Sequence, residues 1–209
     1  VVTGAKGKAF KVIEEVASKN GSKLIKVSTQ KNSLGNWLLS KAVLNELKIK
    51  FNENSSVFEA KFAGRFEQIQ PNVVLDGAHN PDKVKAIIQF LISNFQFSNN
   101  KKVVLVVAFK KGKRWRKMID LLVENLSVSQ VIATEFNAVT DTGKFAAVGV
   151  REIDEYVRFK HHIPVAEFEN SQQAVIEAIN GAKEGEIVVV TGSLYLIGEV
   201  RIMWKLPEF

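Results

Sequence analysis

Val73-Val74-Leu75-Asp76-Gly77-Ala78-His79-Asn80-Pro81 decides how this chain is read. Three apolar residues give way at once to a polar, glycine-bearing turn. Asn80-Pro81 then opens a run with apolar residues at helical spacing: Val84, Ile87, Ile88, Leu91, Ile92 and Phe95. The pattern predicts a buried strand, a turn at its carboxyl end and a helix. In open α/β sheets, ligands collect at such carboxyl ends. Asp76 can accept two hydroxyl hydrogen bonds, Gly77 admits a close backbone or ligand, and His79 can donate or accept near neutral pH. That mixture suits small-molecule binding better than packing.

Outward from this stretch the same alternation repeats. Val103 to Ala108 is a fully apolar strand, followed by a helix with Trp115, Met118, Ile119, Leu122, Val123 and Leu126 on one face. Gln130 to Thr134 reads as a strand, and Ile153, Tyr156 and Val157 mark a helix. Ser171 is read as the cap of a helix facing inward with Ala174, Val175, Ala178 and Ile179. Ile187-Val188-Val189-Val190 is a last buried strand running into Thr191-Gly192-Ser193. Short strands alternating with such helices predict an α/β fold with a doubly wound, mostly parallel sheet.

Upstream the pattern is less regular. Ala9, Val12, Ile13, Val16 and Ala17 mark an amphipathic helix ended by Asn20-Gly21, Leu24 to Val27 a short strand, and Lys31-Asn32-Ser33 a polar turn. A second helix is expected from Gly35 to about Lys48, with Asn36 at its start, where an asparagine commonly caps. Thr3-Gly4-Ala5-Lys6-Gly7-Lys8 is only superficially similar to a phosphate-binding loop. The spacing is too short, and Ala9 stands where the metal-binding hydroxyl belongs. The polar stretch from Asn52 places a domain boundary before Gly64, dividing the chain into 1–60 and 61–209.

Composition narrows the classes. The 209 residues are 46% hydrophobic and include no cysteine, which excludes disulfides, thiolate nucleophiles and Cys-based zinc sites and fits a reducing cytoplasm. No apolar run reaches the roughly 20 residues of a membrane span. The net charge of +7 favours anionic partners without choosing among them. Lys110-Lys111-Gly112-Lys113-Arg114-Trp115-Arg116-Lys117 is the densest basic run. Trp115 falls in the apolar helical pattern, so the bases read as a solvated face rather than a nucleic-acid surface.

Asp76 to Pro81 and Thr191-Gly192-Ser193 both follow strands, so in a parallel sheet they face one edge and can build one pocket. Arg65, just before the first strand, supplies a forked donor for phosphate or carboxylate. Each residue also has a plainer reading: Asp76 or Ser193 as a helix cap, His79 as a surface histidine, Arg65 in a surface ion pair. His161-His162, read as adjacent residues of a strand with no acidic partner, do not suggest a metal site. No Gly-x-Ser-x-Gly elbow supports a serine hydrolase.

Taken in order, Gly64-Arg65-Phe66-Glu67, Leu75 to Pro81 and Val190-Thr191-Gly192-Ser193-Leu194-Tyr195-Leu196-Ile197-Gly198-Glu199-Val200-Arg201 resemble the signatures of folylpolyglutamate synthase, often bifunctional with dihydrofolate synthase, in the Mur ligase superfamily. The resemblance implies a Rossmann-like carboxyl-terminal ligase domain, preceded in residues 1–60 by the end of a central P-loop ATPase domain. It implies ATP with Mg²⁺, a folate or dihydropteroate acceptor and L-glutamate, joined as an amide through an acyl phosphate. Asn36, Arg65 and Asp76 match the family's nucleotide-binding positions, and His79 and Ser193 those around the incoming glutamate. The phosphate-binding loop and the Mg²⁺ ligands of the family lie in an amino-terminal region, without which this chain is not expected to act as a ligase. Where the family carries Asp-Lys-Asp after the second strand, this chain has Gly112-Lys113-Arg114, and the family's later Pro-Arg pair is not evident between Ala138 and Lys144. Another Mur-type amino-acid ligase and a non-catalytic nucleotide-binding module are the competing expectations.

Overall fold

The computed structural model describes residues 1–28, 33–52, 62–95, 101–140 and 143–204, with the side chains of 33–36, 138–140, 144 and 145 outside the described set. Lys31, Asn32, Asp141, Thr142 and the boundary residues 53–61 therefore lie outside it. The chain divides into two compact units, Val1–Ala60 and Lys61–Phe209.

In the first unit, β1 (Val2–Thr3) and β2 (Ile25–Lys26) pair in parallel around α1 (Gly7–Lys19), and α2 (Ser33–Glu46) follows. The α1 pattern is amphipathic, yet only Ala17 is buried and Val12 and Val16 stay more than half exposed, because two-residue strands offer little surface to cover them. Helix α2 begins at Ser33, so Asn36 stands inside the first turn and the reading of it as the cap is corrected. Its side chain lies outside the described residues.

The second unit is built on a six-stranded sheet. In chain order its elements are β3 (Glu67–Gln70), β4 (Val73–Asp76), α3 (Pro81–Phe95), β5 (Val103–Val107), α4 (Trp115–Asn125), β6 (Val128–Thr134), the hairpin β7 (Ala138–Thr140) and β8 (Gly143–Phe145), α5 (Val150–His161), β9 (Val165–Phe168), α6 (Ser171–Gly181), β10 (Ile187–Thr191) and α7 (Leu194–Arg201). The sheet order is β3-β4-β10-β5-β6-β9. All neighbours are parallel except the edge strand β3, which runs antiparallel to β4. The expected first strand after Gly64-Arg65 is thus not β4 but β3.

Helices cover both faces, as the doubly wound reading requires. Val74, Val103, Leu105, Val107, Ile187 and Val189 point to α3, α4 and α5, while Val73, Leu75, Val104, Val106, Val188 and Val190 point to α6 and α7. Alternate residues of one strand enter opposite cores, which explains why these strands are apolar throughout. Each such buried Val or Leu contributes about 1.5–3 kcal/mol by leaving water.

Two local expectations are corrected. Helix α6 is capped by Asn170, whose Oδ1 accepts from the Gln173 N–H, and Ser171 is the first helical residue, its hydroxyl donating to Glu199 Oε2 at 2.8 Å. Both residues suit a cap, and position alone separates them. His161 ends α5 and His162 is its left-handed cap at φ 54°, so neither lies in a strand. His161 also has an acidic partner: Asp120 Oδ1 lies 3.0 Å from its Nε2.

That carboxylate ties α4 to α5, accepting from the Tyr156 hydroxyl at 2.7 Å and pairing with Lys160 Nζ at 2.9 Å. Burial pushes the Asp120 carboxyl up, but hydrogen bonds from Lys160, Tyr156 and His161 outweigh it and hold it below its ordinary value of 3.8. A depressed carboxylate stabilises the fold above its unfolded value, and that contribution disappears as pH falls through the folded one. Asp120→Asn is expected to lose about 1–2 kcal/mol at neutral pH, and the gap to the parent protein should begin to close below the unfolded value, 3.8, and vanish below the lower folded one. Thermal melts across that interval check it: a gap that stays constant on acidification removes Asp120 as its cause.

Candidate functional site

The site residues follow from where strands stop. Thr191 stands opposite Asp76 across the β10–β4 pairing, so both glycine-bearing turns leave neighbouring parallel strands at one level of one edge. Sequence reading expected this if both strands were central. A third turn joins them: Gly64 and Phe66 precede β3 at positive φ, 65° and 48°, and the Gly77 N–H donates to the Gly64 carbonyl at 2.8 Å.

Asp76 holds this junction together. Only 4% exposed, it accepts from the Ala78 N–H through Oδ1 at 2.8 Å and from the Phe66 N–H through Oδ2 at 2.9 Å. Each oxygen keeps a second acceptor site. Burial pushes its carboxyl above the usual value of 3.8, against the pull of those two N–H groups, of Arg65 and of Lys83. Asp76 is not the cap of α3: that part belongs to Asn80, whose Oδ1 accepts from the Lys83 N–H at 3.0 Å. Arg65 is exposed, and its guanidinium is close enough to act on the charges of both Asp76 and Lys83.

His79 is half-buried beside this junction. Its Nδ1 lies 2.8 Å from the Gly77 carbonyl and its Nε2 lies 3.2 Å from Lys83 Nζ. Ser193 caps α7, its hydroxyl accepting from the Tyr195 N–H at 3.1 Å, so its plainer reading is realised. His79 and Ser193 nevertheless share a cavity of about 310 Å³ with Lys110, Lys113, Gly192, Leu194 and Tyr195. Its walls are set by backbone. Lys110 bridges Ala147, the Lys111 N–H donates to the Ala146 carbonyl at 3.0 Å, and Gly192 takes φ 110° against Ala108 and Phe109. The cavity carries two lysines and no carboxylate, which suits an anionic guest.

Arg65, Asp76, His79 and Ser193 thus come together in the second unit. Sequence reasoning missed Lys83, Lys110 and Lys113 as site residues, because a lysine in a basic run or an early helical turn looks solvated. Position offered one signal, since Lys83 follows His79 by four residues. Two motif residues prove to be scaffolding. Glu67 Oε2 accepts from the Gly64 N–H at 2.7 Å, and Arg201 pairs with the same carboxylate at 3.0–3.1 Å, tying the Gly64 turn to α7. Among the described residues no three His, Asp or Glu side chains converge to hold a metal, and no helix is long and apolar enough to cross a membrane.

Comparison with known proteins agrees with this architecture. A dihydrofolate synthase/folylpolyglutamate synthase of Bacillus subtilis is 28% identical over 150 residues, 70% of this chain and 31% of that protein. Among solved structures, a Mycobacterium tuberculosis folylpolyglutamate synthase complexed with ADP superposes with a TM-score of 0.78 at 16% identity, over 100% of this chain and 55% of that one. A bifunctional folylpolyglutamate synthase/dihydrofolate synthase of Yersinia pestis complexed with AMPPNP and Mn ion gives 0.74 at 19% identity, over 94% and 51%. At such identities the structural likeness speaks for the fold. The chain spans about half the length of these solved chains and a third of the Bacillus relative. Residues 62–203 match the family described as dihydrofolate synthetase, C-terminal domain, along the whole sheet and all three turns, and the chain belongs to that family.

Proposed function

We propose that this chain is the carboxyl-terminal part of an ATP-dependent ligase that adds glutamate to a folate or dihydropteroate carboxylate. The observation that carries the reading is the pairing of Asp76 with Thr191, which sets a buried carboxylate and a lysine-lined cavity side by side on one sheet edge. Asp76 would take the ribose hydroxyls of ATP on the acceptor sites its backbone bonds leave over, and Arg65 would pair with the phosphates. Asn36 is assigned to the adenine by the family resemblance alone. His79 and Ser193 would flank the incoming glutamate, whose second carboxylate Lys110 and Lys113 favour.

In this reading the acceptor carboxylate takes the terminal phosphoryl group of ATP, ADP leaves, and the glutamate amine displaces phosphate to form the amide. The domain contributes by holding two anionic reactants in place and offsetting their charge. Mg²⁺ would accompany the ATP. Its ligands are expected, from the family resemblance, in an amino-terminal ATPase region, of which residues 1–60 would be the end.

The test is ADP release by the protein carrying that region, given ATP, L-glutamate and either a reduced folate or dihydropteroate. ADP formed only when acceptor and glutamate are both present is the expected result. Turnover with a different acceptor and none with folates would move the chain to another amino-acid ligase. ATP binding without turnover on any acceptor would leave a nucleotide-binding module.

A further inference from the structure

Lys83 belongs to no motif quoted above, and Pro81-Asp82-Lys83 reads in the sequence as a solvated helix start. Its surroundings are otherwise. Lys83 Nζ lies 3.2 Å from His79 Nε2, and His79 Nδ1 lies 2.8 Å from the Gly77 carbonyl. A carbonyl only accepts, so Nδ1 carries the proton; an ammonium only donates, so Nε2 is the acceptor. Both imidazole nitrogens are therefore committed, one to the strand end and one to the lysine. Lys83 keeps two of its three donors.

Most of what surrounds Lys83 disfavours a cation. It sits in the first turn of α3, where the helix dipole repels positive charge. Partial burial, then the neighbouring Arg65, weaken its hold on its proton, and Asp76 only partly compensates. The two oxygens of Asp76 are oriented by the Phe66 and Ala78 N–H groups, while the Lys83 ammonium is turned to His79. Two cations thus act on one carboxylate. An anion between Arg65 and Lys83 would relieve the dipole, the desolvation and the like-charge repulsion together.

We propose that Lys83 is the second cation of the nucleotide-phosphate subsite, paired with Arg65, and that His79 is a positioning residue that aims the Lys83 ammonium. The inference rests on the nucleotide-dependent reading and refines the part of His79. Its ring lines the glutamate cavity, while its nitrogens fix the lysine on the other side.

Calorimetric titration of the 209-residue chain with ATP and with inorganic tripolyphosphate tests it in Lys83→Met, Lys83→Arg, His79→Ala and the Lys83→Met/His79→Ala double variant. Lys83→Met is expected to weaken both ligands about ten- to a hundredfold, the worth of one charge-assisted bond. Lys83→Arg should stay within about threefold of the parent, since charge and donors remain. His79→Ala should weaken tripolyphosphate about three- to tenfold in the parent and not at all in the Lys83→Met background, the non-additivity expected of a residue acting through another. Thermal melts establish that each variant is folded, with Lys83→Gln and His79→Gln replacing any that is not. Unchanged binding in Lys83→Met, a His79→Ala effect that persists without the lysine, or a parent chain that binds no tripolyphosphate would each overturn the proposal. Lys83-dependent binding without ADP formation on any folate would instead remove the folate ligase reading and leave this one standing.

Discussion

Gly192→Ala is expected to lower the stability of the second unit by about 3–5 kcal/mol, the sum of an L side chain forced to positive φ and of overpacking against rigid neighbours. Gly192 is buried at φ 110°, and a Cβ there would press on the Ala108 carbonyl oxygen and come within 2.9 Å of the Phe109 ring. The obstacle is the backbone beyond a central strand, which cannot rotate away as a side chain would. In a unit of this size the loss corresponds to about 10 °C in melting temperature. Gly112 supplies the comparison: it too has positive φ, 80°, but nothing lies within 4 Å of its would-be Cβ, so Gly112→Ala should cost only about 1 kcal/mol. Equal losses in the two variants, measured by thermal or urea unfolding, would show that close approach at Gly192 has no part in the effect.

Asp76→Ala should combine the largest functional loss with a structural one. Removing the carboxylate orphans the Phe66 and Ala78 N–H groups beside a buried strand end, for about 2–4 kcal/mol. Asparagine is no remedy, since it presents an acceptor to one N–H and a donor to the other. Under the proposed function, ATP binding by the same variant should fall at least about a hundredfold, through the lost diol contact and the displaced Arg65 turn together. Titration with ATP separates the contributions. Glu67→Gln weakens the anchor of the Arg65 turn without touching Asp76, and should reduce affinity much less. If Asp76→Ala, shown to be folded, binds ATP as the parent does, the nucleotide role of Asp76 is gone.

How much of this was legible depended on burial. Strands β5 and β10 stood out because both their faces are covered, so Val103 to Val107 and Ile187 to Val190 are apolar without interruption. The edge strands were hidden for the complementary reason. Glu67-Gln68-Ile69-Gln70 and Val165-Ala166-Glu167-Phe168 carry polar residues on solvated edges and are four residues long, too short for alternation to declare itself. Two of the three turns were legible as polar breaks after strands, and the third as Gly64-Arg65 ahead of one. What each polar group touches was not: Glu67 meets Arg201 across 134 positions, and Asp120 meets His161 across 41. Lys83 was lost to its helix, where one lysine of a first turn looks like any other until the histidine four residues earlier is seen to hold it.

The place of β10 carries a consequence for how the molecule is made. It comes after all the other described strands of its sheet, yet it lies between β4 and β5, which both precede it by more than eighty positions. A growing chain that has not reached Ile187 holds two halves of a sheet with facing, unpaired edges and no strand to join them. During that interval either edge can recruit a strand from a neighbouring polypeptide. Until Thr191 emerges, the centre of the sheet stays open to any strand that fits it.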